Sequence, residues 1–342
     1  MEINLVLSHI QQGLVEKRQQ LSQWLNRTPV PQVQLNTGMV GQQAVLEHLK
    51  VIDTALEKAE AKTLGICQVC NETVNPSLLE MDYTACVCLD HFSEVERRQL
   101  ELELELSQAV QRALLPQQMP SVPGLELAAF SRPAQIVGGD YFDFFNFQDG
   151  AQGLAIADVV GHGVSASLLM TSLQTALRTL VPGSRSPSEV IQRMNHFYLH
   201  NVNYPTFVTL TLGRYDPGTK TLTYCNAGHN PPAHWRSRDG SLEWLWPTGP
   251  AIGIVEESQY TLASARLSAG DALLFYTDGV TEAINTQDEP FGSDRLAALI
   301  KQNARLPAQE LVRSVREGLG SFSDGRPLAD DITILAVKAE SL

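Results

Sequence analysis

Residues 125–163 read LELAAFSRPAQIVGGDYFDFFNFQDGAQGLAIADVVGHG. Three apolar runs of strand length, Leu125–Phe130, Tyr141–Phe147 and Leu154–Asp158, are divided by turns rich in Gly, Pro and Asp. Outward from this stretch the same texture continues. Further strands are expected at Phe207–Tyr215, Thr221–Asn226, Tyr260–Leu267, Ala272–Thr277 and Ile332–Val337. Helices are expected from Gly163 through Leu180, from Ser186 onward, and near 292–303 and 308–320. Ser186-x-x-Glu189 reads as a capping box, with Pro187 suited to the first helical position. Strands, two helices, strands, two helices and a last strand predict an α+β domain with its helices outside the sheets.

Four segments share one form, an aspartate at a strand end beside turn residues. They are Val137-Gly-Gly-Asp140-Tyr-Phe-Asp143, Ala157-Asp158-Val-Val-Gly-His-Gly163, Tyr276-Thr-Asp278-Gly279 and Leu328-Ala-Asp330-Asp331-Ile-Thr333. Any one of them alone is common turn chemistry. Four in one domain point to carboxylates meeting at one sheet edge. Crowded carboxylates raise one another's pKa unless a cation neutralises them. Hard oxygen ligands select Mg2+ or Mn2+ over zinc. A pair of such ions about 3.5–4 Å apart holds a bridging water and lowers its pKa for in-line attack on phosphorus.

Residues 124–338 resemble the metal-dependent Ser/Thr phosphatases of the protein phosphatase 2C superfamily, in its bacterial SpoIIE/RsbU branch. The likeness is carried in order by Pro133-Ala-Gln-Ile-Val-Gly-Gly-Asp140-Tyr-Phe-Asp143, Asp158-Val-Val-Gly-His-Gly163, Asn226-Ala-Gly-His-Asn-Pro-Pro232, Tyr276-Thr-Asp-Gly279 and Asp330-Asp-Ile-Thr333. The resemblance implies a four-layer α/β/β/α sandwich with two Mn2+ or Mg2+ ions at one end. It assigns Asp140, Asp158, Asp278 and Asp330 to the metal-binding, catalytic carboxylates and the backbone carbonyl of Val159 to a further ligand. Asp331 stands where many relatives have Asn and is taken as a secondary ligand, with Asp143 behind the first set. Gln135 occupies the position of an Arg that grips the substrate phosphate in eukaryotic members, so phosphate binding differs here. His162, between two glycines, reads as a packing residue at a helix start, and His229 as structural. The implied reaction is hydrolysis of phosphoserine or phosphothreonine on a regulatory protein, a STAS-domain anti-sigma-factor antagonist.

Upstream, the spacing Cys67-x2-Cys70-x17-Cys88-x2-His91 is zinc-ribbon arithmetic, two close pairs separated by a loop. Cys86 offers an alternative fourth ligand; His91 is preferred because it restores the x2 spacing. Residues 55–91 resemble the DksA/TraR zinc finger, through Gly65-Ile-Cys67-Gln-Val-Cys70 at the end of a helix. Apolar residues at Ile3, Leu7, Ile10, Leu14, Leu21 and Trp24, and again at Val45, Leu49, Ile52, Leu56 and Ala59, mark two earlier helices. Residues 28–41, with two prolines and two glycines, read as the loop between them.

Between ribbon and phosphatase-like region, Leu100, Leu102, Leu104 and Leu106 alternate with glutamates as a strand would. Leu and Glu are strong helix formers, however, and Phe92, Val95, Gln99, Leu102, Leu106, Ala109 and Ala113 step by threes and fours. A helix over 93–115 with a heptad seam is expected, joining a second copy in a homodimer. The expected organisation is a helical hairpin (1–62), a zinc finger (63–92), a coiled-coil linker (93–119) and a metal-dependent phosphatase domain (120–342).

The chain has 342 residues, with 25 Lys and Arg against 38 Asp and Glu and a net charge of -13. That balance, with no basic run, disfavours nucleic acid as a partner. No apolar run reaches the ~18 residues needed to span a bilayer, and the N-terminus lacks a secretory pattern. Clustered cysteines suit a metal site in a reducing cytoplasm. The competing reading, a non-catalytic zinc-finger adaptor or scaffold in transcription regulation, calls for loss of the metal carboxylates, and all four are present.

Overall fold

The structure, a computed structural model, describes residues 52–74, 86–91, 93–161, 163–202 and 206–340, with single positions at 7, 10, 11, 14, 15, 18, 49, 50 and 79. The chain divides into two compact units, Met1–Glu105 with His200–Pro205, and Leu106–Leu199 with Thr206–Leu342.

The second unit holds two five-stranded sheets. One has the order β1 (Leu125–Arg132), β10 (Ile332–Ala339), β9 (Ala272–Tyr276), β6 (Ala233–Trp235), β7 (Leu242–Trp244). The other runs β2 (Tyr141–Asn146), β3 (Gln152–Val159), β4 (Val208–Asp216), β5 (Thr221–Ala227), β8 (Ala263–Arg266). The strands pair antiparallel throughout both ladders. Alternation explains the layering. In β9, Leu273 and Phe275 join Ile156 of β3, Tyr224 of β5 and Leu335 of β10 in a core between the sheets. Ala272, Leu274 and Tyr276 face the other way, onto Leu296 and Ile300 of α5 (Gly292–Asn303) and Leu311 and Val315 of α6 (Ala308–Ser323). With both faces covered, β9 reads as an unbroken apolar run rather than an alternating one. Against the second sheet lies α2 (Gly163–Leu180), with α3 (Pro187–Asn201) joined to it by Tyr198 Oη donating to Leu169 O at 3.2 Å; the two bury Met170, Leu173, Leu177, Ile191 and Met194. Each such fully buried side chain contributes about 1.5–3 kcal/mol of transfer free energy. The result is the expected α/β/β/α sandwich.

Two details depart from the sequence reading. α3 begins at Pro187 as expected, but Ser186 Oγ pairs with Ser188 Oγ at 2.9 Å and Glu189 with Arg193 at 2.8 Å, an i,i+4 ion pair in place of the capping exchange. The strand expected over Tyr260–Leu267 is shorter, because β8 pairs with β5 only over Ala263–Arg266.

In the first unit, the described positions before residue 20 and in 49–60 are helical. Their apolar faces meet through Leu14, Ile52 and Ala55, with Leu64 beside them, and Arg18 pairs with Asp53 at 2.6 Å. The loop at 28–41 lies outside the described residues. Helix α1 (Glu94–Leu114) is continuous through the alternating Leu-Glu run, as the helix formers require. Its seam residues Val95, Leu102 and Leu106 are exposed, and Phe92 lies outside the described residues. No helix among the described residues is long and apolar enough to cross a membrane.

Candidate active site

Strand ends set the site. Asp140 immediately precedes β2, Asp158 is the penultimate residue of β3, and the pairing Tyr141↔Ala157 puts these two ends side by side. Asp278 opens the five-residue helix α4 (Asp278–Glu282) just past β9, and Asp330 and Asp331 immediately precede β10. The pairing Ile334↔Tyr276 brings those two ends together on the other sheet. One residue ties the sheets to each other: Thr277 Oγ1 donates to Asp140 Oδ2 at 2.8 Å while accepting the Thr333 N–H at 2.9 Å. Sequence reasoning missed Thr277, whose partner lies 137 positions away. It also missed Glu282, one turn after Asp278 on α4 and close enough to Asp158 and Asp278 to act on both charges.

The carboxylates act strongly on one another. Burial and then the charges of Asp158 and Asp331 hold the Asp140 carboxyl well above its ordinary value. Burial, Asp278, Asp330, Asp331 and Glu282 push Asp158 up to about 8. Burial, Asp330 and Glu282 push Asp278 up to about 6. Such a donor set fits a hard divalent cation, whose charge would remove the penalty each carboxylate now imposes on the others. The Val159 carbonyl sits in the same place: a Cβ on Gly139 would stand 2.6 Å from Val159 O and 3.5 Å from Asp158 Oδ1.

Asp331 is engaged differently. Its Oδ1 accepts the Ala134 N–H at 2.8 Å and its Oδ2 the Gly139 N–H at 2.6 Å and the Asp140 N–H at 3.4 Å. It pins the loop that carries Asp140, and a side chain on Gly138 would collide with it. Asp143 is committed to a brace, a two-point ion pair with Arg178 of α2 at 2.8 and 2.9 Å and a bond from Tyr141 Oη at 2.5 Å. His229 is fully buried, with Nδ1 2.8 Å from Thr209 Oγ1, and burial lowers its pKa to about 3, so it stays neutral in the Asn226 turn. His162 lies outside the described residues. Gln135 turns toward the start of α2, its Oε1 2.8 Å from where a Gly163 Cβ would stand.

The raised acids carry a stability consequence. Free Asp titrates near 3.9, and folded Asp158 near 8. Between those values the folded state binds more protons, so this group lowers stability as pH rises through the window. Without added metal, Asp158→Asn is therefore expected to raise Tm at pH 8, with the gain shrinking toward pH 5. Paired thermal melts check this, and a variant less stable than wild type at pH 8 would contradict it.

In the first unit a second cluster forms. The sulfurs of Cys67, Cys70 and Cys88 and a ring nitrogen of His91 all lie within 4.8 Å of one another. Cys70 and Cys88 Sγ are 4.0 Å apart, close to the ~3.8 Å between sulfurs on a tetrahedral zinc with ~2.3 Å bonds. Cys67 Sγ accepts N–H bonds from Val69 and Cys88, each 3.4 Å. Burial opposes its ionisation, but the amides of Cys70, Cys88 and Val69 outweigh it and bring the thiol down to about 6. Burial and the neighbouring sulfurs push Cys88 up to about 12. A bound cation would offset the burial and the sulfur–sulfur repulsion that hold Cys88 in its thiol form. Cys86 stands outside the group; its carbonyl accepts the Gln68 N–H at 2.8 Å.

Comparison with known proteins bears on the family and fold of the second unit. The family model for stage II sporulation protein E (SpoIIE) matches residues 148–340. The chain is 29% identical over 242 residues to phosphoserine phosphatase RsbU of Bacillus subtilis, covering 71% of each. It is 31% identical over 263 residues to protein IcfG of Synechocystis, covering 69% of this chain but only 41% of that protein. Among solved structures, the SiaA-PP2C domain of Pseudomonas aeruginosa superposes with a TM-score of 0.64 at 23% identity, covering 72% of this chain and all of that domain. The chain thus belongs to the SpoIIE family, and its second unit is a protein phosphatase domain with the fold of the SiaA-PP2C domain.

Proposed function

We propose that the protein is a metal-dependent phosphatase of phosphoserine and phosphothreonine on a regulatory protein. Convergence of Asp140, Asp158, Asp278 and Asp330 on one end of the sandwich, linked across the sheets by Thr277, carries this reading. Those four carboxylates, with the Val159 carbonyl, hold two divalent cations, Mn2+ or Mg2+. When bound, the cations supply Lewis acidity that lowers the pKa of water and neutralises charge on the phosphoryl group. The chain's own residues do the positioning. Thr277 fixes the rotamer of Asp140, Asp331 holds its loop, and Glu282 adds to the field that draws cations in. An adaptor without catalysis would have no use for so costly a set of acids.

The family resemblance gives the substrate as a STAS-domain antagonist, consistent with the phosphoserine activity in RsbU's name. Phosphate release from phosphoserine, phosphothreonine and phosphotyrosine peptides by the full chain tests the substrate class. Preference for the first two is expected, and preference for phosphotyrosine would contradict it. Cys67, Cys70, Cys88 and His91 hold one structural zinc ion.

The exposed seam on α1 supports a homodimer through that helix. Leu102→Glu with Leu106→Glu sets like charges across the seam and is expected to yield a monomer in sedimentation. A wild type already monomeric at micromolar concentration, or a variant that stays dimeric, would contradict this.

A further inference from the structure

Gln108 and Gln111 of α1 fall outside the heptad seam, and the metal ligands do not account for them. Both reach the loop that carries Asp140. Gln111 Nε2 donates to Gly138 O at 2.6 Å, and Gln111 Oε1 accepts the Gly138 N–H at 3.1 Å. One side-chain amide thus satisfies both polar groups of one residue, as a neighbouring strand would. Gln108 Nε2 donates to Ile136 O at 2.9 Å. Gly138 precedes Asp140 by two positions, and between them Gly139 packs against Val159 O and Asp158 Oδ1.

A cavity of about 180 Å3 lies beside this loop, lined by Gln108, Gln111, Phe130, Ile136, Gly138 and Asp331 among others. Hydrogen bonds fix the loop: Asp331 takes the N–H groups of Ala134, Gly139 and Asp140, and Gln111 takes Gly138. We infer that Gln111 is a positioning residue for the metal site. Its two-point hold on Gly138 sets the loop so that Asp140 stands at the right depth beside Asp158 and the Val159 carbonyl. The inference rests on the phosphatase reading and deepens it.

The test compares wild type, Gln111→Met, which keeps length but loses the amide, and the control Gln152→Met at a surface bond to Asn146. Each full-length protein is titrated with Mn2+ by calorimetry and by hydrolysis of p-nitrophenyl phosphate. Hydrogen exchange is followed over 134–140, and thermal melts verify folding. Loss of a group supporting a metal ligand costs about 10–100-fold in metal affinity. Gln111→Met is expected to raise the Mn2+ midpoint about tenfold by both titrations, to speed exchange over 134–140, and to leave kcat at saturating Mn2+ within about threefold. Gln152→Met should match wild type. If wild type binds Mn2+ and Gln111→Met binds it equally well, the clamp is overturned, whatever the exchange shows, and the phosphatase reading stands. If wild type takes up no Mn2+, the metal-dependent reading of the site falls and the clamp with it.

Discussion

Asp158→Asn is expected to lower Mn2+-dependent phosphate release by about two to three orders of magnitude, with the fold intact. The substitution exchanges a charged donor for a neutral one at the place where the charges of Asp278, Asp330, Asp331 and Glu282 already act on it. The remaining carboxylates would hold cations less tightly, and the phosphoryl group would meet less neutralising charge. Asp158 lies on β3, whose ladders with β2 and β4 do not use its side chain, so secondary structure should be unchanged. Asp278→Asn should behave in the same way, since Asp330 and Glu282 act on it alike. Circular dichroism alongside the assay checks that activity, and not folding, was lost.

The second large effect is expected from zinc. The small core around the ribbon contains Cys67, Val74 and Leu79 with Leu7, Ile10, Val87 and Cys88 beside them. A module with so little apolar burial takes its folding free energy from the metal. Cys67→Ser removes the sulfur that both ribbon amides address, at Val69 and Cys88. It should lower zinc content from about one per chain to near none and make residues 60–74 and 86–91 susceptible to limited proteolysis. His91→Ala should lose zinc as well, whereas Cys86→Ser should keep it, because the Cys86 contribution is a backbone carbonyl. Stoichiometric zinc in Cys67→Ser would contradict the assignment.

These effects trace back to what local sequence can and cannot encode. The aspartates were legible because each sits against a glycine or a strand end, and the sandwich because β9, β10 and β3 are apolar over strand length. The Cys67, Cys70, Cys88 and His91 cluster was legible because two of its three intervals are fixed by a single turn. Strands β6 and β7 escaped because each is three residues long and lies on or next to a sheet edge. Helix α4 escaped because five residues give no periodicity. The alternating Leu-Glu run was the one place where two periods competed, and intrinsic propensity decided it for helix. Thr277 and Gln111 had no local signal: one meets Asp140 only through the stacking of two sheets, the other Gly138 only through the seat of α1. For Asp331 the motif marked the residue but not its part in the fold: its neighbour Asp330 has the same side chain, while Asp331 accepts the loop amides.

The central claim, that this carboxylate cluster carries metal-dependent hydrolysis, is tested most directly by phosphate release from a phosphoserine peptide as Mn2+ is raised. Wild type and Asp278→Asn are compared as full-length chains. Saturable, Mn2+-dependent release by wild type and its near-complete loss in the variant is the expected result. Release that ignores Mn2+, or that survives unchanged in Asp278→Asn, would contradict it.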